Sequence, residues 1–399
     1  MLSERIGIVG STSVKSWLSR GGMLIGGLAF GLLLAEVLLR LYFALVPTPS
    51  DSHYLHDDLA GFIRRPTHQG EHIVHEDDHI NALGFRDREH DLTKDETTFR
   101  ILGIGDSFVF SLVALDQNFL RVAERKLRKS PPLDFTQVEV IMMGMGAWSP
   151  ENEVGALESI GLDLHPDFVL LSFFVGNDLT DIPLTGKVLR GRLYYDGSPY
   201  PVLNYLRKSV IYLLIERNLL YRMRDRLINR HVDAKVPTTS ELIIPDKRDE
   251  EALLPDHYLH HQMKRLKVYE SPPAPRVEKL WARAEAALEH FDDLCRSADL
   301  PWALHLIPAE IQVDETVRGR VLEALGQSVS QFDFDYPQKR LHEFAERHEI
   351  RIIDTLPLMR SEHDPGRPLY IQFDTHWNTR GNQLAGEVIA DSLLSWIND

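Results

Sequence analysis

Three apolar runs of strand length, each followed by a glycine, constrain the fold of this chain more than any other feature. They cover residues 99–104, 138–143 and 168–175. After each run come polar residues or a proline suited to a helix start. Strands and helices therefore alternate with short connections, which is typical of a parallel sheet wound by helices on both faces. The sequence predicts an α/β fold with a doubly wound parallel sheet.

The second half of the chain continues this alternation and brings the expected sheet to five strands. Apolar residues at helical spacing predict a helix over 277–295 and a closing helix over 378–396. Pro337 suits the first turn of a further helix that ends near His348. The segment after the first strand, residues 108–129, predicts one helix. The two later strands are expected at 302–307 and 350–353.

Two segments interrupt this pattern. Residues 48–98 are polar and proline-broken and predict a lead-in segment, in which 81–86 forms a turn followed by a packed Phe85. Residues 184–274 predict an insertion over the carboxyl edge of the sheet, with a helix that ends near Asn229. The insertion is interpreted either as a lid or binding surface or as an excursion without a role. The domain proper is expected to cover residues 99–399.

An apolar segment near the N-terminus predicts a membrane anchor within residues 21–47. From Met23 to Val46 only Glu36 and Arg40 are charged, and a helix of this length spans about 36 Å, enough to cross a bilayer. The two charges are four residues apart and can pair on one helix face. A cleaved signal peptide and a buried core helix are the alternatives, and the missing small-residue cleavage site favours an uncleaved anchor.

Flanking charges predict the orientation of this anchor. Arg5, Lys15 and Arg20 precede it, whereas acidic residues and no Lys or Arg follow it until Arg64. Positive charge remains on the cytoplasmic side of a membrane. Residues 1–20 are therefore expected in the cytoplasm and the main domain outside it, in the periplasm of a cell that has one.

Composition limits the classes of partner and cofactor. A formal net charge of −15 argues against a nucleic-acid-binding surface. The single cysteine, Cys295, allows no intramolecular disulfide. His68, His72, His75 and His79 in the lead-in fit no standard zinc spacing, so no metal and no cofactor are expected.

Residues with the chemistry of a nucleophilic site stand at the ends of these strands. Ser107 follows the first strand, and serine attacks esters only when a base takes its proton and a third group orients that base. Asp374 and His376, two apart just before the closing helix, can supply the orienting group and the base. Gly144 and Asn177 follow the second and third strands and can donate N–H groups to an oxyanion. Each residue alone could equally be a helix cap, a turn residue or a core residue.

Together, Gly-Asp-Ser-Phe at 105–108, Gly144, Gly-Asn-Asp at 176–178 and Asp-Thr-His at 374–376 resemble the SGNH/GDSL hydrolase superfamily. The resemblance covers about residues 99–175 and 302–399. It implies a flavodoxin-like α/β/α fold and acyl chemistry on a serine. It further implies Ser107 as nucleophile, His376 as base and Asp374 as orienting residue, with Ser107, Gly144 and Asn177 as the oxyanion hole. Relatives often carry asparagine where this chain has Met142.

The flanks of these motifs also resemble membrane-anchored members and the branch that acetylates exported polysaccharides. Three functions remain open at this point. The first is a membrane-anchored serine esterase acting on an ester substrate such as an O-acetylated glycan or a lipid. The second is a polysaccharide O-acetyltransferase, which would need a membrane partner to deliver the acyl donor. The third is a glycan-binding or assembly protein without catalysis. Tyrosines of the insertion suit sugar faces or simple packing: Tyr194, Tyr195, Tyr200 and Tyr205.

Overall fold

A computed structural model describes residues 11–45, 54–57, 59–64, 79–132, 134–182, 186–189, 192–195, 201–216 and 253–397. The chain divides into two compact units. One joins Met1–Ser50 to Asp196–Ala234, and the other joins Asp51–Tyr195 to Lys235–Asp399. Each unit is described separately below.

The larger unit is built on a five-stranded parallel sheet, as the sequence predicted. When the five strands of this sheet are numbered by their order in the chain, they lie side by side in the order 2-1-3-4-5, which is the flavodoxin-like arrangement. Every residue of β3, β5 and β8 is buried, as expected where helices cover both faces of a parallel sheet. The strands are β3 (Thr98–Gly105), β4 (Gln137–Gly144), β5 (Phe168–Phe174), β8 (Trp302–Ile307) and β9 (Arg351–Asp354).

Helices flank this sheet. The N–H of Phe119 in α3 donates to the Asn382 side chain of the closing helix α14 at 3.0 Å, which joins these two helices. The predicted helices over 277–295, 337–348 and 378–396 are all present. The helices of this unit are α2 (Ser107–Phe110), α3 (Phe119–Leu127), α4 (Pro150–Ala156), α5 (Asp178–Asp181), α8 (Asp256–Arg265), α9 (Pro275–Ser297), α10 (Glu310–Val313), α11 (Glu315–Ala324), α12 (Tyr336–His348), α13 (Leu356–Ser361) and α14 (Thr379–Ile397).

The single helix predicted over residues 108–129 is wrong. The chain forms the short helix α2, leaves helical geometry at Ser111, whose φ is 63°, and starts again with α3. Asn118 caps α3 by accepting the N–H of Leu120 at 2.7 Å, and its amide donates to the carbonyl of Val109 at 3.1 Å. The helical periodicity of the segment did not reveal this break, because the break depends on the hydrogen bonds of the capping residue Asn118, which a pattern of apolar residues does not show.

The lead-in segment holds the region after α2 in place. Residues 81–86 form the predicted turn, with Gly84 at a φ of 92°, and Phe85 is fully buried. Arg86 is also buried and donates to the carbonyls of Phe110, Ser111 and Val113 at 2.7–2.8 Å. Upstream of this turn, β1 (Tyr54–Asp57) and β2 (Gly61–Arg64) form an antiparallel hairpin.

Buried ion pairs fasten the same segment to the edge of the sheet. Asp87 accepts hydrogen bonds from Arg121 and from the backbone N–H of Met142. His90 lies between Asp87 at 2.9 Å and Glu139 at 2.7 Å. Burial alone would raise the pKa of Asp87, but these partners outweigh it and hold the pKa below its usual value.

The predicted insertion contributes to both units. In the larger unit, β6 (Gly186–Leu189) and β7 (Arg192–Tyr195) form an antiparallel hairpin, and α8 lies at the C-terminal part of the insertion. In the smaller unit, α6 (Pro201–Leu206) and α7 (Val210–Ile215) replace the first part of the long helix that the sequence predicted. The break falls at Ser209, which caps α7. The rest of that predicted helix, to Asn229, lies outside the described residues.

The smaller unit also contains α1 (Ser11–Leu45). Its stretch Arg20–Leu45 is long and apolar enough to cross a membrane, by length and composition alone. Glu36 and Arg40 pair on one face of α1 at 2.7 Å, as their spacing predicted. Glu36 also accepts the hydroxyl of Ser209 and the N–H groups of Val210 and Ile211, so α1 holds the start of α7 through one carboxylate.

Candidate active site

Ser107 lies at the first turn of α2, directly after β3. Asp106 caps this helix by accepting the N–H of Phe108 at 2.9 Å, and its other oxygen accepts the Ser107 hydroxyl at 3.2 Å. A Cβ on Gly105 would come within 2.7 Å of Val109 and 2.9 Å of the Ser172 carbonyl, so the tight turn requires glycine. The side chain of Ser107 thus stands, partly exposed, at the carboxyl edge of the sheet.

His376 and Asp374 meet Ser107 from the other end of the chain. The Nε2 atom of His376 lies 2.8 Å from the Ser107 Oγ atom, and its Nδ1 atom lies 2.5 Å from the Asp374 Oδ1 atom. The backbone N–H of His376 donates to the same carboxylate oxygen at 2.9 Å. Burial raises the pKa of Asp374, but the charge and hydrogen bonds of His376 and the charge of Arg265 outweigh it and hold the pKa well below its usual range.

Aromatic packing fixes the orientation of the histidine ring. The Phe108 ring lies 5.0 Å from the His376 ring and 5.1 Å from the fully buried Trp377 ring. The backbone contributes as well, since the carbonyl of His376 accepts the N–H of Ile371 at 2.9 Å. His376 is therefore held on its backbone and on one ring face, with Nε2 directed to Ser107.

Asn177 follows β5 at the same edge of the sheet and is almost fully buried. Its Nδ2 atom donates to the Oδ2 atom of Asp181 at 2.6 Å, which uses one of the two amide hydrogens. The Oδ1 atom of Asn177 is buried and has no hydrogen-bond partner among the described residues. The Asn177 side chain also hydrogen-bonds the Asp106 carboxyl and lowers its pKa. Its amide is therefore held between two carboxyl groups at the edge of the sheet.

The two glycines after β4 have different surroundings. A Cβ on Gly144 would lie 2.3 Å from the Phe110 nitrogen and 2.6 Å from the Val109 carbonyl carbon, so this glycine allows α2 to pack on β4. A Cβ on Gly146 would lie 4.0 Å from the Cβ atom of Ser107. Ala147 next to it adopts a left-handed conformation with φ of 65°. The turn beside Ser107 is thus centred on Gly146, which the sequence analysis did not name, although a second glycine so close to Gly144 was a signal for it.

Four buried carboxyl groups lie behind these residues. Burial is the main cause that raises the pKa of Asp106, Glu153, Asp178 and Asp181, and the charge of Asp106 raises the pKa of the other three further. For Asp181 the pKa rises to about 6 although Asn177 and Arg265 oppose the shift. Neither carboxyl oxygen of Glu153 has a partner within the described part of the chain. The sequence analysis missed this group because nothing in the spacing of its members indicates burial.

Helix α8 lies over this edge of the sheet and carries Arg265. The Arg265 guanidinium lies 5.4 Å from the centre of the Phe174 ring at the end of β5. The Tyr258 ring of the same helix contacts the Phe373 ring at 6.1 Å, next to Asp374, and the Tyr258 hydroxyl donates to Glu310 at 2.6 Å. The C-terminal part of the insertion therefore belongs to the surroundings of the candidate site.

The described residues contain no group of three or more His, Cys, Asp or Glu side chains arranged to hold a metal ion. His68, His72 and His75 of the lead-in lie outside these residues. The arrangement at Ser107 has the form that nucleophilic catalysis requires: a hydroxyl bonded to a basic nitrogen, and that base oriented by a carboxylate.

No protein-family model and no curated protein matches the sequence. Solved structures with a similar fold include an acetyl xylan esterase, with 12% identity, a TM-score of 0.37 and 74% and 99% of the two chains covered. A lipolytic protein of the G-D-S-L family from Desulfitobacterium hafniense has 12% identity, a TM-score of 0.33 and coverage of 73% and 98%. The lipase/acylhydrolase from Enterococcus faecalis has 12% identity, a TM-score of 0.35 and coverage of 74% and 96%.

Proposed function

We propose that this protein is a serine esterase of the SGNH/GDSL type. The observation that carries the proposal is the continuous chain of contacts from Asp374 through His376 to Ser107, at 2.5 Å and 2.8 Å. A serine, a histidine and a carboxylate at these distances can make an oxygen nucleophile at neutral pH. The helix cap at Asp106 and the rings around His376 support the same geometry before any substrate binds.

The proposed reaction has two halves. In the first, the Ser107 Oγ atom attacks the ester carbonyl carbon while His376 Nε2 takes the hydroxyl proton. The tetrahedral intermediate collapses, the bond to the alcohol oxygen breaks, and the alcohol leaves with the proton from Nε2. In the second half, water attacks the acyl carbon and gives a proton to Nε2. The bond between this carbon and Ser107 Oγ then breaks, Nε2 returns the proton to Oγ, and the carboxylic acid leaves. Asp374 stabilises the charged imidazole throughout.

The negative charge on the carbonyl oxygen needs donors in both halves. We assign this role to the side-chain amide of Asn177, the backbone N–H of Ser107 and a backbone N–H of the turn from Gly144 to Ala147. This turn contains Gly144, the donor that the motif implies, and Gly146, where a Cβ would lie 4.0 Å from the Cβ atom of Ser107. Removing one such donor typically costs about 100- to 1000-fold in turnover.

The proposed location is the outer face of the cytoplasmic membrane. The apolar stretch Arg20–Leu45 would anchor the chain, and the basic residues before it would keep the N-terminus in the cytoplasm. The esterase unit would then face the periplasm. Esters available there include O-acyl groups on glycans and lipids, which we propose as the substrate class.

To test the proposal, the full-length protein in detergent micelles is incubated with acetyl esters and mixed cell-surface oligosaccharides. Mass spectrometry measures free acetate and acetylated sugar in the same reaction. We expect free acetate as the main product, loss of nearly all of it in Ser107→Ala, and normal release in the exposed control Ser130→Ala. If acetylated oligosaccharide forms faster than acetate and depends on Ser107, the protein is an acyltransferase. If Ser107→Ala releases acetate normally, the proposed site is wrong.

A further inference from the structure

Arg265 carries a charge close to Asp374 of the candidate triad, and no described residue pairs with it. Its guanidinium makes no hydrogen bond and no ion pair with any residue that the structure describes, and its Nη1 atom is buried. A guanidinium has five N–H donors in a planar fork. Burying such a charge without partners is unfavourable, because hydration is lost and nothing replaces it. The donors of Arg265 are therefore available to an anion that enters the site.

The position of Arg265 places such an anion close to the reacting atoms. Its guanidinium packs on the Phe174 ring, which lies 4.4 Å from the Phe108 ring, and Phe108 in turn contacts the His376 ring at 5.0 Å. Arg265 also lowers the pKa of Asp374 through its charge. Two aromatic rings thus connect the guanidinium to the ring of the proposed base at the carboxyl edge of the sheet.

The charges around Arg265 select the kind of anion. His261, one turn earlier on α8, has a pKa lowered to about 4, first by burial and then by the charges of Arg265 and Lys264. Asp181, Asp374 and Asp106 act on Arg265 through space without forming an ion pair with it. Their negative charges oppose a dianion more than a monoanion. A planar carboxylate fits the guanidinium fork and carries one charge.

From these observations we infer that Arg265 is a specificity-determining residue that binds a carboxylate on the substrate, so that the preferred ester is an O-acylated acidic sugar. The inference rests on the proposed esterase function and names its substrate class. It assigns a role to the end of the insertion, which contributes α8 to the site, whereas the triad residues come from the α/β core.

Matched substrates test this inference. Methyl glucuronoside and methyl glucoside, each with one acetyl group at the same oxygen, differ only in a carboxylate in place of a hydroxymethyl group. We expect kcat/KM of the wild-type protein to be about tenfold or more higher for the glucuronoside, the effect of one charge-assisted hydrogen-bonded pair. Arg265→Met should bring the ratio of the two values to about one, and Arg265→Lys should restore part of it. Lys279→Met, which removes an exposed positive charge from α9, should keep the wild-type ratio.

Free methyl glucuronoside gives a second readout that a purely structural role would not change. It should inhibit glucoside ester hydrolysis competitively in the wild-type protein and about tenfold more weakly in Arg265→Met. The acetylated methyl glucoside 6-phosphate tests the alternative anion. If the phosphate ester is preferred over the glucuronoside in an Arg265-dependent manner, the carboxylate assignment is overturned in favour of a phosphorylated substrate.

Two further outcomes separate this inference from the proposed function. Equal wild-type activity on glucuronoside and glucoside, with dependence on Ser107, overturns the role of Arg265 and leaves the esterase in place. The same holds if Arg265→Met lowers both activities equally and thermal melting shows a folded protein, because Arg265 would then support the site without binding substrate. Activity on none of these esters or on 4-nitrophenyl acetate contradicts the esterase itself.

Discussion

The His376 Nε2 atom lies 2.8 Å from the Ser107 Oγ atom, although 269 positions separate the two residues in the chain. Ser107 belongs to the first strand–helix turn of the sheet, and His376 belongs to the loop before the closing helix. The α/β topology brings both to the carboxyl edge of the sheet, where ligands of such folds bind. The predictions below start from this contact.

Substitution of His376 or of Asp374 should remove most of the turnover, and the two losses should differ in size. We expect His376→Ala to be nearly inactive on 4-nitrophenyl acetate at neutral pH, because the variant lacks the imidazole that lies 2.8 Å from the Ser107 Oγ atom and takes its proton. Asp374→Asn retains the shape but favours the wrong histidine tautomer, which in a comparable triad costs about 10⁴ in rate. Values of kcat/KM measured at several pH values test this. Turnover of His376→Ala near the wild-type level would exclude His376 as the base.

Arg86 should control the stability of the segment that carries Ser107. Its buried guanidinium donates to three backbone carbonyls directly after α2, and Arg86→Met would leave all three without their donor. We expect a loss of about 2–4 kcal/mol in the free energy of unfolding, as for several charge-assisted hydrogen bonds. Thermal melting measures this loss as a lower Tm.

The control for this prediction is Arg283→Met. Arg283 pairs with Glu151 at an exposed position, where an ion pair contributes little, so its Tm should change by much less. If both variants melt at the same temperature as the wild-type protein, Arg86 does not hold the segment after α2.

The raised pKa of Asp181 predicts that this residue makes the free energy of unfolding depend on pH. Burial raises its folded-state pKa from 3.8 to about 6, so between these values the unfolded chain is ionised while the folded protein keeps the proton. Stability from the neutral carboxyl is present below about pH 4 and is lost as the pH rises through about 6. We expect Asp181→Asn to raise the free energy of unfolding relative to the wild-type protein, and to raise it on the order of 1 kcal/mol more at pH 7.5 than at pH 4.5. A difference in Tm that does not vary with pH contradicts this account.

The sequence allowed the sheet and the proposed triad to be predicted because both depend on local signals. Each strand is a short apolar run with a glycine after it, and Asp374 and His376 stand two residues apart before a clear helix. The five parallel strands were confirmed to within one or two residues of the predicted bounds.

Features that depend on packing between distant segments could not be predicted in this way. The break after α2 depends on Asn118 and on Arg86 from the lead-in. The surroundings of Arg265 are formed by Phe174 and by buried acids from distant segments, so its role could not be inferred from its neighbours in the sequence. The role of Gly144 in the oxyanion hole stays a prediction, whereas its close contact with the α2 backbone could not be predicted from its place after a strand.

The orientation of the anchor can be tested in cells. The basic residues before Arg20–Leu45 predict a cytoplasmic N-terminus. A C-terminal alkaline phosphatase fusion should be active, and protease added to intact spheroplasts should digest the esterase unit. A protected C-terminal unit together with an inactive fusion would mean that the chain has the opposite orientation.

The measurement that tests the central claim most directly is covalent labelling of the active serine. The full-length protein is treated with a fluorophosphonate probe, and the modified peptide is identified by mass spectrometry in the wild-type protein and in His376→Ala. We predict a single modification on Ser107 in the wild-type protein and labelling slower by orders of magnitude without the histidine. Modification of a different serine, with Ser107 unmodified, would contradict the proposed mechanism.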